Sequence, residues 1–431
     1  MRSFYLPLGL AAVCIQPLSV AAQADLLPAL PAEVHSFHAQ PLPTQPLAPA
    51  RTLATAIQQA LLANPDLQVA AQDVGIAEGG IVQAGARPNP ELALLAEGLQ
   101  KENRTTTVQL NQVLETGGKR SLRIAAAERD RDAAVADLAI RRAEVRAAVI
   151  AAFFDVLVAQ QRLQLAETAL QLSQQAAGVT ARRVIAGKIS PVEETRARVA
   201  LAESGLEQSQ AMAELDIARR RLAASCGASS VDFLELAEPG KPFSAEQSLA
   251  ALNAGLANAP QLVRARLEIE RQHAQVALER SRRIPDLTLS LGSKRDEQAG
   301  RSQTVIGLSL PLPLLDTNRG NLLTALRKAD KARDELAAIE QRLALELAIA
   351  FRRHAQAQAE LHVLRSDVLP GAQSAYTAAI KGFELGKFNF LEVLDAQRTL
   401  FRSKSLYLRS LAESYRAHAD IGRITGLDQT F

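Results

Sequence analysis

The 431-residue sequence has no tryptophan, four tyrosines, two cysteines and two methionines. So few large rings exclude a core built on aromatics. The apolar content, 48% of residues, comes instead from alanine, leucine and valine, which suits long helices packed closely together. Cys14 and Cys226 are the only cysteines, which excludes a disulfide framework. There is no Cys-x-x-Cys, no His-Glu-x-x-His and no nucleophile elbow. Gly117-Gly118-Lys119-Arg120 lacks the first glycine of a phosphate loop. His35, His38, His354 and His362 form no dense cluster, although the last two, eight residues apart on one helical stretch, allow roughly the same face. No catalytic residue, resident metal or cofactor is expected. Neither charge sign prevails: the net charge is +3, and acids and bases interleave, as in Arg129-Asp130-Arg131-Asp132. That pattern reads as solvated helix faces and excludes a nucleic-acid footprint. Beyond the first residues, no stretch is apolar for long enough to be a transmembrane helix.

The N-terminus reads as a secretory signal over residues 1–24. Arg2 is its positive region, Leu6 to Val20 its apolar region, and Ala22-Gln23-Ala24 a small-residue cleavage site. A rival reading makes Cys14 the acylated residue of a lipoprotein signal; Val13 before it is bulkier than such sites accept. Residues 25–50 are a proline-rich, extended leader containing Pro28, Pro31, Pro41, Pro43, Pro46 and Pro49. The chain is exported without a helical anchor, so it is periplasmic or meets a membrane by another route.

From there the second half repeats the first. Gly187-Lys188-Ile189-Ser190-Pro191-Val192-Glu193 returns as Gly386-Lys387-Phe388-Asn389-Phe390-Leu391-Glu392, and Pro90-Glu91-Leu92-Ala93-Leu94 returns as Pro285-Asp286-Leu287-Thr288-Leu289. Repeat 1 spans 51–227, with strands at about 90–114 and a helical hairpin at about 120–226. A linker follows at 228–247. Repeat 2 spans 248–431, with strands at about 285–312 and a hairpin at about 320–426. Alternating leucines (Leu92 and Leu94; Leu287, Leu289 and Leu291; Ile306, Leu308 and Leu310) mark short strands. Ser293 to Ser302 is expected to be a charged loop between two of them. Each strand has about the ten residues that cross a bilayer when tilted. The helical runs carry seven-residue spacings, Val145, Ala152, Ala159 and Ala166 in the first and Leu336, Leu343, Ala350, Ala357 and Leu364 in the second, which is a coiled-coil seam. Pro370-Gly371 is expected to kink or break the second run.

Four strands cannot close a barrel, and lipid does not tolerate open edges. Three chains sharing a 12-stranded barrel is the simplest solution with room for a channel, and cyclic symmetry then gathers the helices into a tube. The fold class expected is therefore mainly α with a small β part: duplicated long α-helical hairpins forming a trimeric α-barrel tunnel, plus four strands per protomer in a shared outer-membrane β-barrel. This order of elements resembles the TolC-type outer-membrane factor family, over about residues 52 to 426. The recurring tip motif, Gly187…Glu193…Ala197 and Gly386…Glu392…Ala396, carries the resemblance. Leu114-Glu115-Thr116-Gly117-Gly118-Lys119-Arg120 is similar to the heavy-metal (cobalt-zinc-cadmium, CzcC-type) branch.

The resemblance implies a homotrimer in outer-membrane lipid. It would be docked to a periplasmic membrane-fusion (adaptor) protein and through it to a proton-driven inner-membrane RND transporter, exporting heavy-metal cations from a Gram-negative bacterium. Drug or organic efflux and type I protein secretion would use the same duct. A soluble periplasmic coiled-coil scaffold is the reading from another class. The strands depart from the family's barrels in being nearly free of interfacial aromatics. Glu392 and Asp395, three apart, share a helix face; the resemblance implies rings of carboxylates there that constrict the pore and attract cations. Glu193 is the copy-one counterpart, and Arg196 is a partner for an acidic neighbour holding a closed tip. The bland alternative for all four is a solvated face. Gly187 and Gly386 are expected to turn the chain at the tips, with Ser190 and Asn389 capping the returning helices. Lys188, Lys387, Phe388 and Phe390 are candidates for docking the fusion protein; packing within the tip is the alternative.

Overall fold

The structure is a computed structural model that describes residues 52–98, 100, 103–228, 236, 248–388 and 390–426, all within one unit, Leu47–Phe431. The secretory signal, the leader, Cys14, His35, His38, Asn389 and nearly all of the linker lie outside these residues, as do the side chains of Glu384 and Phe390.

Two short helices open the described chain, α1 (Leu53–Ala63) and α2 (Pro65–Gly85). Asn64 divides them. Its Oδ1 accepts from the Asp66 N–H at 2.9 Å to cap α2, Pro65 takes the first helical position, and Asn64 Nδ2 donates to the Ser225 carbonyl at 2.9 Å.

Four strands follow in two hairpins, β1 (Glu91–Glu97) and β2 (Thr105–Leu114), then β3 (Leu287–Asp296) and β4 (Arg301–Ser309). They form one antiparallel sheet in the order β1-β2-β3-β4. The register places Leu92 opposite Leu110, Leu110 opposite Leu291 and Leu291 opposite Ile306; on one side of this row Leu94 faces Val108, and on the other Leu289 faces Leu308. Because side chains alternate, these eight residues share one face. All eight are exposed, Leu92 at 72% and Ile306 at 74%. The other face carries Gln109, Asn111, Ser290 and Gly292, with the Ser290 hydroxyl donating to Asn111 Oδ1 at 2.7 Å. Residues 293–296 and 301–302, expected in a loop, continue the strands: Lys294 pairs with Gln303 and Asp296 with Arg301. Backbone pairing tolerates these charges because they stand at the sheet's far end, where Lys294 Nζ lies 3.6 Å from Glu97.

The stretch from Leu114 to Arg120 turns the sheet into the helices. Gly117 and Gly118 both take positive φ, 64° and 70°. The Thr116 N–H and Lys119 Nζ converge on Asp286 Oδ1 at 2.9 and 2.7 Å, which ties copy one to copy two. Arg120 and Arg123 donate to the free carbonyls of Gly85, Ala84 and Ala86 at the end of α2, and Arg123 also pairs with Glu115. In copy two, Asn318 takes the left-handed conformation (φ 54°), and its Nδ2 bonds the Glu279 carbonyl and carboxylate, both at 2.9 Å.

The first helical hairpin is α3 (Lys119–Ile185) and α4 (Pro191–Ser225). After α5 (Leu249–Gly255) and α6 (Pro260–Ser281), the second is α7 (Arg319–Val363), α8 (Leu369–Glu384) and α9 (Phe390–Thr425). At 1.5 Å per residue α3 is about 100 Å long. It packs against α2, α4, α6 and α9 and is the spine of the molecule. Pro370 does not break the second run. A π-turn at Leu364–Val368 joins α7 to α8, and the Leu369 N–H donates to the Leu364 carbonyl, five residues back. The predicted seams are buried at Val145, Ala152, Ala159 and Ala166 and at Leu343, Ala350, Ala357 and Leu364. One core gathers Val149, Phe153, Phe154 and Val156 with Leu222, Cys226 and Ala56. A second joins Leu343 and Leu347 to Ile421, Ile424 and Leu262, and a third lies near the tips. Charges fasten α3 to α6: Asp137 to Arg264 at 2.8 Å, Arg264 to Glu268 at 2.9 Å, Glu268 to Arg271 at 3.3 Å and Arg271 to Asp130 at 3.5 Å. Among the described residues no helix is long and apolar enough to cross a membrane.

Candidate channel entrance

At the tip of each hairpin the first helix must stop and the chain must reverse. A residue with positive φ does this most cheaply when it is glycine. Gly187 (φ 68°) and Gly386 (φ 72°) are those residues. The Gly187 N–H donates to the Val184 carbonyl and Lys188 N–H to Arg183, both at 2.9 Å; Gly386 N–H donates to Phe383 at 3.0 Å and Lys387 N–H to Gly382 at 2.8 Å. The two copies thus end their first helices with the same pair of bonds. Ser190 Oγ accepts from the Val192 N–H and caps α4, with Pro191 next to it.

The returning helices place the acidic residues. Glu193 lies in the first turn of α4 and Glu392 in that of α9, where negative charge favours a helix N-terminus. Glu392 and Asp395 are both exposed on α9. Glu193 is mostly buried and pairs with Arg196 at 2.9 Å within its own helix. Glu194 pairs with Arg198 on the next row. Copy one therefore presents its acids with guanidinium partners one turn away. Among the described residues, Arg196 pairs with Glu193 and with no acid of the second hairpin.

Lys188 and Lys387 are exposed at the turns. Phe388 divides its ring between two roles. It is 43% exposed, yet it lies against Gly382 so closely that a Cβ there would sit 2.1 Å from the ring. Val393, Leu400, Ala372, Tyr376 and Ala379 form the core behind the tip, with Leu172 of α3 against them.

Three features of the tip were not legible in the sequence. The Arg183 guanidinium of the first hairpin lies 4.2 Å from the Phe383 ring centroid and donates to the Phe383 carbonyl at 3.2 Å. Arg398 of α9 pairs with Glu203 of α4 at 2.9 Å, a further tie between the hairpins. Between them is a cavity of about 170 Å³ lined by Val179, Arg183, Tyr376, Phe383, Val393 and Gln397, where burial pushes the Tyr376 phenol above its usual range. The residues involved are about 200 positions apart, and only the packing of two hairpins joins them. His354 is buried against the Ser414 carbonyl at 3.2 Å and against His418, whereas His362 is exposed, so the two do not share an environment. No group of three or more His, Cys, Asp or Glu among the described residues is placed to hold a metal ion.

Comparison with known proteins gives a consistent result. The family model described as outer membrane efflux protein matches residues 56–228 and 251–427, once per repeat. The cobalt-zinc-cadmium resistance protein CzcC of Cupriavidus metallidurans is 44% identical over 99% of this chain and 100% of its own length. Among solved structures, a membrane protein from Pseudomonas aeruginosa superposes with a TM-score of 0.76 at 20% identity, covering 86% of this chain and 90% of that one. CusC, solved in connection with its folding and transmembrane channel formation, superposes with a TM-score of 0.73 at 18% identity, covering 89% and 95%. At these identities the two structures speak to the fold.

Proposed function

We propose, from the premise that this chain belongs to the outer membrane efflux protein family, that three copies form the passive exit duct for heavy-metal cations in a tripartite pump. The observation that carries the membrane part is the sheet. Eight exposed apolar side chains lie in three neighbouring rows across four strands, and the other face is mostly polar. A continuous apolar face of this kind is costly in water and favourable against hydrocarbon. The outer strands β1 and β4 have one free edge each, and three copies of the sheet can pair these edges into a closed ring of twelve strands. The two hairpins of each copy then extend the wall into the periplasm as a tunnel.

Cargo enters at the tips. A periplasmic adaptor protein docked there, at Lys188, Lys387 and the exposed part of Phe388, would connect the duct to a proton-driven inner-membrane RND transporter. Glu392 and Asp395 would line the entrance as two rings of three carboxylates, concentrating cations in the mouth. Glu193 pairs with Arg196 within its own helix; the first hairpin would brace the entrance and the second would line it. A duct should pass its ions without retaining them. The metal cargo is supported by full-length similarity to a protein named for cobalt, zinc and cadmium resistance.

The test is purification followed by conductance. The protein should extract as a detergent-dependent trimer and conduct in planar bilayers, with block by cobalt ions at the tip-facing side. Glu392→Gln with Asp395→Asn should raise the blocking concentration roughly tenfold. Unchanged block would remove these residues from the constriction, and a soluble monomer would remove the duct itself. If a strain lacking the gene loses resistance to organic compounds but not to metals, the cargo is organic.

A further inference from the structure

The apolar side of β4 does not end with the strand. After Ile306 and Leu308 the chain continues through Leu310, Leu312, Leu314 and Leu315, all exposed, Leu314 at 81% and Leu315 at 100%. Copy one has no such stretch. There β2 ends at Leu114 and α3 begins at Lys119, whereas β4 ends at Ser309 and α7 begins only at Arg319. Leucines this bare are costly in water.

The backbone here suits a place with little water. Pro311 and Pro313 have no N–H, and the Leu314 N–H donates to the Leu312 carbonyl at 2.8 Å. Three of the four residues from 311 to 314 therefore present no free donor, which lowers the cost of leaving water. The same prolines stop the edge of β4 from pairing further with another strand.

Cations stand beside these leucines. A groove of about 580 Å³ runs between Leu312, Leu314 and Leu315 on one side and Lys119, Arg282 and Arg283 on the other. The acids nearby are engaged. Asp286 holds Lys119 at 2.7 Å, Glu279 holds Arg282 at 2.6 Å, and Asp316 accepts from the Asn318 N–H at 2.9 Å. Arg283 is exposed and pairs with no acid among the described residues. The groove lies at the end of the sheet that leads into the helices, since Pro285 before β3 and Pro311 after β4 are both in its wall. In the duct that end is the periplasmic surface of the bilayer. Water would satisfy only the arginines, and an apolar strand only the leucines. A phospholipid has a phosphate for the first and acyl chains for the second.

We propose that residues 310–315 enter the periplasmic surface of the bilayer and that Arg282 and Arg283 hold the phosphate of a phospholipid whose chains lie along Leu312, Leu314 and Leu315. Each copy carries one such site. It rests on the barrel reading, which places the sheet in lipid.

Two measurements on the full-length protein test this. In the first, Ile306→Cys and Leu314→Cys are each spin-labelled in phosphatidylglycerol liposomes, and collisions with oxygen and with a water-soluble nickel chelate are compared. Both labels should favour oxygen, Leu314 at the shallower depth. Ile306 in lipid with Leu314 in water overturns the insertion and leaves the barrel standing. A Leu314 label that meets neither reagent also overturns it and assigns this face to a second copy of the chain. Both labels in water overturn the barrel reading itself. In the second, native mass spectrometry of the purified protein compares retention of phosphatidylglycerol with that of a diacylglycerol bearing the same chains. The phospholipid should be preferred at least about tenfold, and Arg282→Gln with Arg283→Gln should remove the preference. Arg283→Gln alone, which breaks no ion pair, should reduce it several-fold even if the double variant fails to fold. Arg301→Gln, at the other end of the sheet, should leave it unchanged. Equal retention of the two lipids by the native protein, an undiminished preference in Arg283→Gln, or an equal loss in Arg301→Gln overturns the phosphate site.

Discussion

Gly117 shows how much one atom matters at the junction between sheet and helix. Its φ is +64°, and a Cβ there would lie 2.9 Å from Ile284 Cδ1. Gly187 has nearly the same backbone, φ +68°, but open space around it. Gly187→Ala should therefore cost about 1 kcal/mol from backbone strain alone, and Gly117→Ala about 2 kcal/mol or more, because the contact adds to the strain. Thermal melts of the two variants in detergent check the order. Cys226 is the other residue whose environment decides its chemistry. It is buried among Ala56, Leu222 and its neighbours, and burial pushes its thiol up to about 11. At pH 8 it should react with iodoacetamide at least about a hundredfold more slowly in the folded protein than in the denatured one, because the thiolate is the nucleophile. Equal labelling rates would mean that the core around it is open. The glycines at the tips were legible in the sequence, since a glycine after a long helical run and before a capping serine has one common use. The contact of Arg183 with Phe383 was not, because nothing local distinguishes Arg183 from Arg182 beside it.

At the scale of elements, the contact between α3 and α6 is held by charge as well as by apolar packing. Burial alone would raise the Glu268 carboxyl, but its bonds to Gln272 and Arg264 and the charge of Arg271 outweigh that and hold it below the usual carboxylate range. A carboxylate whose pKa is lower in the folded state stabilises the fold above its unfolded pKa, about 4.3, and loses that contribution as pH falls through the folded value. Glu268→Gln should therefore lower stability at pH 7 by about 1 kcal/mol, and its difference from the native protein should fade below about pH 4. Melts at pH 7 and pH 3.5 would show this. A deficit that persists at pH 3.5 would place the effect in packing. The long helices were readable from their seven-residue seams, because burial on one face leaves a period in the sequence. The π-turn was not: Pro370 announced an interruption, and only the one-residue shift of the buried seam from 364 to 372 shows that the helix continues through it.

For the whole molecule the decisive surface is the apolar face of the sheet. Leu291 stands on that face between Leu110 and Ile306, and Asn111 stands on the opposite one. In a barrel, Leu291→Arg should cost about 2–4 kcal/mol at mid-depth and reduce the amount of protein recovered in the outer membrane, whereas Asn111→Lys should be tolerated. The opposite ranking would mean that the sheet faces lipid with its polar side. The aromatic residues that usually mark the two interfaces of a membrane barrel are absent from all four strands, so the apolar rows themselves must set the depth.

The sequence by itself determined the duplication, the two kinds of hairpin, the turn glycines and the acidic residues in the first turns of α4 and α9. Each of these is written locally, as a period, a spacing or a residue with few conformational alternatives. Only the tertiary structure decided which side chains meet. It set the register that gathers leucines from four strands into one face, the capture of the α2 carbonyls by Arg120 and Arg123, and the contact of Arg183 with Phe383. It also decided that a single added residue in copy two becomes a π-turn. Several of those outcomes depend on partners far along the chain, as Arg120 depends on Gly85, 35 positions back, and on which of several sterically possible packings buries the most apolar surface while giving backbone carbonyls a donor.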